Sequence, residues 1–255
     1  MKRFLMISGA PRSGTTLMQQ VLNLHPRIAL FHECNLPAIL SRLDELFWQE
    51  QKGNVAERWL TSRETYTIKE LESWTPKRSL SWEPLVEALW RPVFPEKWWD
   101  KGDMVIGDKW NLPHAQPKMA SQLPKYGVRL LWMTRNPVDT AASWVRKETN
   151  EGIRKIDRRD LVFEALLNWS MAEAFVTFAE RHKVKTLRIH YKDFCQNPML
   201  HLKTVCEWLG VSMTETVKGV ETAFFSKVPS IVNPRSDLGK ADRAEIEDLI
   251  TEFKG

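Results

Sequence analysis

One short turn, Gly9-Ala10-Pro11-Arg12-Ser13-Gly14-Thr15-Thr16, constrains this chain more than any other feature. It follows the apolar run Phe4 to Ile7 and leads into Leu17-Met18. An apolar run, a glycine turn and a helix start read as a buried strand, a loop and a helix. Gly9 and Gly14 keep the separation of a phosphate-binding loop, whose backbone N–H groups and helix N-terminus surround an anion with fixed partial positive charge. The ordinary nucleotide loop places a lysine after its second glycine, to reach the terminal phosphates, and puts the next hydroxyl on magnesium. Here Thr15 and Thr16 stand in those places, and Arg12 supplies the charge two residues before Gly14. With the hydroxyls of Ser13, Thr15 and Thr16 added, the loop suits an anionic ligand without triphosphate–magnesium chemistry.

Further strands are expected at Ile28 to Phe31, Met104 to Ile106, Val128 to Thr134 and Val184 to Ile189, each short and rich in branched or large side chains. Helices are expected at Thr15 to Leu24, Leu36 to Gln49, Val138 to Lys147, Leu161 to His182, Leu200 to Leu209 and Ala241 to Phe253. This alternation predicts an α/β, three-layer fold with a mostly parallel central sheet. Residues 53–101 break the pattern. They carry prolines at 76, 84, 92 and 95, and seven of the twelve tryptophans lie between the first helix region and Lys101. The stretch reads as an aromatic-rich insertion on the acceptor side of one 255-residue domain, or as an extra packed layer whose tryptophans are core anchors.

With 43% apolar residues, the chain can bury a substantial core without a partner. The formal charge of +5 attracts a polyanionic small molecule as readily as a nucleic acid. The charges form no tail or repeated module, which argues against a nucleic-acid partner. Three cysteines, Cys34, Cys195 and Cys206, make neither a disulfide framework nor a metal-spaced cluster, so a reducing, cytoplasmic setting and no metal are expected. The apolar part of the N-terminus is too short for a signal peptide, and no uninterrupted apolar stretch approaches the roughly 18 residues of a membrane span. Oligomeric state is left open.

A second anion site follows the strand at Val128 to Thr134. Asn136 is a helix cap and Pro137 a first-turn residue. Arg135 therefore stands beside a helix N-terminus, a good place for a charge-assisted phosphate contact. Ser143 and Lys147 are four residues apart on one helical face. Two anion sites point to a nucleotide phosphorylated at two ends.

These motifs resemble the cytosolic and Golgi sulfotransferase superfamily, which includes bacterial members and protein-tyrosine sulfotransferases. Pro11 to Leu17 is similar to the family's loop for the 5′-phosphosulfate of 3′-phosphoadenosine 5′-phosphosulfate (PAPS). Arg135-Asn136-Pro137 through Ser143 is similar to its 3′-phosphate site. Gly107-Asp108-Lys109 and Tyr191-Lys192-Asp193-Phe194 resemble two further segments, and the likeness runs to about residue 240. It implies a P-loop-like fold, PAPS as sulfuryl donor with no metal required, and Tyr191 and Lys240 as contacts closing the adenosine site.

Sulfuryl transfer needs an aligned acceptor, stabilisation of developing oxygen charge and removal of the acceptor proton. Arg12 and Lys109 are placed to neutralise charge on the donor. Glu33, 21 residues after Arg12, resembles the glutamate base of the tyrosine-type enzymes, and a bound polyanion would raise its pKa by like charge. His32 and His114 compete with it as the base. The acceptor is expected to be a hydroxyl, less readily an amine, of a small or modest-sized molecule. The alternatives are a P-loop metabolite kinase and a noncatalytic nucleotide- or nucleic-acid-binding protein.

Overall fold

The computed structural model describes residues 3–33, 104–110, 120–121, 123–124, 127–150, 157–213, 244, 246–248 and 251. These all belong to one unit, formed by 1–35 together with 101–255. The expected helix at 36–49, the tryptophan-rich insertion, His114 and Lys240 lie outside the described residues.

Five strands, β1 (Arg3–Gly9), β2 (Ile28–His32), β3 (Val105–Trp110), β4 (Val128–Thr134) and β5 (Thr186–His190), form a sheet in the order β2-β3-β1-β4-β5. Every pairing is parallel. Helices α1 (Thr15–Leu22), α2 (Pro137–Asn150), α3 (Arg158–Arg181), α4 (Tyr191–Gln196) and α5 (Pro198–Leu209) complete the described elements. The central strands are apolar along their length because helices cover both faces. Strand alternation sends Leu131 and Met133 toward a core shared with Met18, Leu22, Leu202 and Leu209 of α1 and α5. Trp132, between them, points the other way and stacks on Phe175 of α3 at a centroid distance of 6.0 Å. The expected three-layer α/β fold is the observed one.

Element boundaries moved where side chains intervene. The first helix stops at Leu22 rather than Leu24. Asn23 turns aside there to clamp Leu30, its Oδ1 accepting from the Leu30 backbone at 2.8 Å and its Nδ2 donating to the Leu30 carbonyl at 2.9 Å. β3 continues to Trp110, four residues beyond the expected end at Ile106. Gly107 allows this, since a Cβ there would collide with the Leu5 carbonyl of β1. α3 begins at Arg158, capped by the Asp157 side chain, which accepts from the Arg159 N–H at 2.7 Å.

By length and composition alone, α3 could cross a membrane. Its buried row, including Leu161, Val162, Leu166, Phe175 and Val176, instead packs on α2 and on Trp132 as in a core helix. The outward face leaves Leu167, Met171 and Phe178 exposed.

Candidate active site

The glycine loop, the β4–α2 turn and the ends of β2 and β3 all lie at the C-terminal edge of the sheet, where parallel α/β folds open their crevice. Gly14 caps α1 in the left-handed conformation, with φ 93°, and no side chain caps that helix N-terminus. Two close approaches require the glycines. A Cβ on Gly9 would strike the Met133 carbonyl, and one on Gly14 would strike the Tyr191 ring. The loop is therefore wedged between β4 and α4, with its N–H groups held in place.

Arg12 also adopts the left-handed conformation, with φ 70°. For a non-glycine residue this conformation costs about 1–2 kcal/mol, and such strain concentrates at functional sites. Held this way, Arg12 joins the two anion sites. Its Nε donates to Ser143 Oγ at 3.2 Å, and its carbonyl accepts from Arg135 Nη1 at 2.8 Å. Segments more than a hundred residues apart thus form one continuous cationic wall. The Arg135 guanidinium lies 4.6 Å from the centroid of the Tyr191 ring. Burial pushes the Arg135 guanidinium below its ordinary pKa and the Tyr191 phenol above its own, with Cys195 adding to the latter.

Asn136 caps α2 as expected, its Oδ1 accepting from the Val138 N–H at 2.8 Å. Lys147 pairs with Glu148 at 4.0 Å, and its charge reaches Glu33. Trp169 of α3, which the sequence did not single out, fixes the anion-binding turn by donating from Nε1 to the Arg135 carbonyl at 2.9 Å. A tryptophan six residues past Phe163 on a helical face gave no signal beyond core packing. A cleft of about 580 Å³ opens on that flank of the turn, lined by Arg135, Trp169, Glu173, Arg188, His190 and Asp193 among others.

Across the crevice, parallel register sets Ile7, Lys109 and His32 side by side in one row of the sheet. Glu33 follows with φ 58°, turning back so that its N–H donates to the Lys109 carbonyl at 2.9 Å. The Lys109 ammonium, only 1% exposed, donates to Glu33 Oε1 at 2.6 Å. That hydrogen bond holds the Glu33 carboxyl below the usual carboxylate range, against the opposing effect of its partial burial. The charged partner that this carboxylate meets is the Lys109 ammonium.

His32 Nδ1 meets Gln19 Oε1 at 3.0 Å. Gln19 Nε2 donates to the Leu30 carbonyl at 3.1 Å, so its oxygen faces the ring and the imidazole donates from Nδ1. Gln19 is a second residue missed from sequence. A polar side chain on the buried face of α1, beside Met18 and Leu22, was its available signal.

Among the described residues four buried side-chain polar atoms have no hydrogen-bond partner, and two of them belong to this site, Ser13 Oγ in the loop and Arg135 Nε in the turn. Buried orphan donors of this kind call for an acceptor. One lies in the glycine loop and the other in the β4–α2 turn, the two segments that Arg12 joins.

A sulfotransferase family model matches residues 5–215 of this chain. No curated protein matches it. Among solved structures, the sulfotransferase domain of the Synechococcus PCC 7002 olefin synthase is 18% identical, with 100% of this chain and 95% of that one covered at a TM-score of 0.57. A mouse sulfotransferase, SULT7A1, solved in complex with PAP, is 16% identical over 98% of this chain and 84% of its own, with a TM-score of 0.53. A sulfotransferase from Alicyclobacillus acidocaldarius is 17% identical over 91% and 95%, with a TM-score of 0.51. With four-fifths of its length matched by the family model, the chain belongs to the sulfotransferase family, and it is a transferase enzyme of the P-loop-like α/β architecture.

Proposed function

We propose that this enzyme moves the sulfuryl group of PAPS to a hydroxyl of a small or modest-sized acceptor by in-line displacement, with Glu33 as general base. The observation that carries the reading is the Arg12 bridge, which makes the glycine loop and the Arg135–Ser143 turn one continuous surface for a ligand anionic at both ends. The orphan Ser13 Oγ and Arg135 Nε fit such a ligand, one at each end. The PAP-bound state of the mouse sulfotransferase supports the choice of nucleotide.

The donor supplies an activated sulfur–oxygen bond whose electron pair leaves with the 5′-phosphate. The protein's part is positioning and charge. Ser13, Gly14, Thr15 and Thr16 surround the 5′ end with donors, and Arg12 neutralises charge there. Arg135, Ser143 and Lys147 hold the 3′-phosphate, and Tyr191 and Lys240 close the adenosine side. Glu33 takes the acceptor's proton as the new sulfur–oxygen bond forms, and Lys109 stabilises the transferring group.

Calorimetric titration with 3′-phosphoadenosine 5′-phosphate, with ATP and magnesium, and with a short single-stranded DNA tests the reading. Selective binding of the first is expected. Equal or tighter binding of ATP would overturn it in favour of a kinase, and preference for the DNA in favour of a nucleic-acid binder.

A further inference from the structure

Lys109 is a buried cation whose ammonium sits on a carboxylate that is half exposed to the crevice. The two side chains come from different strands, β3 and the end of β2, and the bond between them spans 76 positions in sequence. Glu33 leaves β2 in a left-handed conformation, and its own N–H bond to the Lys109 carbonyl fixes its main chain beside β3. Lys109, by contrast, is one ammonium facing two demands. A carboxylate hydrogen-bonded to an ammonium is a poor proton acceptor, because the bond favours its ionised form. A base serves best when its proton affinity lies near the working pH.

We propose that Lys109 is a shared cation: Glu33 holds it in the pair described above, and the sulfonate of a donor entering the crevice draws it off, freeing Glu33 to take the acceptor's proton. This rests on the PAPS reading above. It deepens that reading by making donor occupancy the condition under which the base becomes competent. The charged groups acting on Glu33 among the described residues are Lys109 of β3, its neighbour His32 and Lys147 of α2, all of which favour the carboxylate. Withdrawal of Lys109 removes the largest of these influences. The proton affinity of Glu33 then rises, and by linkage donor binding takes up protons in the window between the two titrations.

Carbon-13 NMR of the full chain labelled at glutamate carboxyls follows Glu33 directly, the resonance being assigned by its loss in Glu33→Gln. Without ligand, Glu33 is expected to titrate below the ordinary glutamate range. Saturating PAPS should raise its proton affinity at least tenfold, and PAP, which lacks the sulfonate, should raise it less. Calorimetry in buffers of different ionisation enthalpy should show proton uptake on PAPS binding by the wild type, and none in Glu33→Gln, which still binds. Lys109→Met should bring the ligand-free Glu33 titration up to the ordinary range or above it. If that variant does not fold, the PAPS and PAP comparison in the wild type decides alone. Equal titration of Glu33 with and without bound PAPS, or equal shifts with PAPS and PAP, would overturn the shared cation while leaving the donor reading standing. Failure of PAPS to bind would overturn both, and failure of Lys109→Met to change the ligand-free titration would overturn the sharing by itself.

Discussion

Arg12 and Ser143, 131 positions apart, are joined by a hydrogen bond of 3.2 Å from the arginine Nε to the serine hydroxyl. In the proposed reading the bond couples the residue assigned to the leaving phosphate to one assigned to the 3′-phosphate. Removing Ser143 therefore acts at both ends. Ser143→Ala should weaken PAP binding about tenfold, the value of about 1–1.5 kcal/mol for one hydrogen bond. Arg12→Ala should lower kcat by about 10²- to 10³-fold, as loss of a donor at developing charge does. The double variant should show less than the sum of the two binding losses, because contacting residues couple. Strict additivity in calorimetric titration would contradict the coupling.

The left-handed backbone at Arg12 predicts a separation of stability from activity. Arg12→Gly relieves about 1–2 kcal/mol of conformational strain and adds about 0.5–1 kcal/mol of chain entropy to be lost on folding. The glycine variant should therefore be as stable as the wild type or slightly more so in urea, and inactive. Arg12→Ala should lose activity to the extent given above, without that gain. An Arg12→Gly variant less stable than Arg12→Ala by the entropy of about 0.5–1 kcal/mol would show that the strain is absent.

Gly14→Ala meets both a positive φ and the Tyr191 ring. It should lower unfolding free energy by at least about 1–2 kcal/mol from the backbone alone, and abolish PAP binding. Adding Tyr191→Ala removes the collision and should recover part of the stability but none of the binding. Recovery of wild-type affinity would mean that the loop is not held by this wedge.

Acid should loosen the Glu33–Lys109 contact. The folded-state titration of Glu33 lies below its ordinary value. The stabilising contribution is thus complete above the ordinary carboxylate range and is lost as pH falls through the lowered value. Glu180, hydrogen-bonded by Arg188 at 2.8 and 2.7 Å, is displaced in the same direction. Urea midpoints between pH 6 and pH 3 should decline less steeply in Glu33→Gln than in the wild type, and less again when Glu180→Gln is added. An unchanged slope in the double variant would assign the acid loss elsewhere.

The glycine loop, the strand before it, the helix after it and the capped start of α2 are written locally. Asn136 and Pro137 act on partners and torsions within four residues, and Gly14 on its own positive φ, so their positions in the sequence suffice to place them; the contacts of Gly9 with Met133 and of Gly14 with Tyr191 were not legible there. The same holds for the order of strands and helices, from which the parallel three-layer fold followed. Glu33 could be chosen by spacing from Arg12, but not its state. That state depends on β3 lying between β1 and β2 in a register that sets Lys109 beside His32, a matter of long-range pairing that no local window contains. Trp169 and Gln19 were hidden for the same reason, each being a helical residue whose partner, the Arg135 carbonyl or the His32 ring, comes from a different element. The order of elements and the residue types of the glycine loop and the β4–α2 turn were thus legible along the chain. That Arg12 bridges those two segments and that Lys109 is paired with Glu33 came from the packed fold, because hydrogen bonds and charges act through distances that chain separation does not measure.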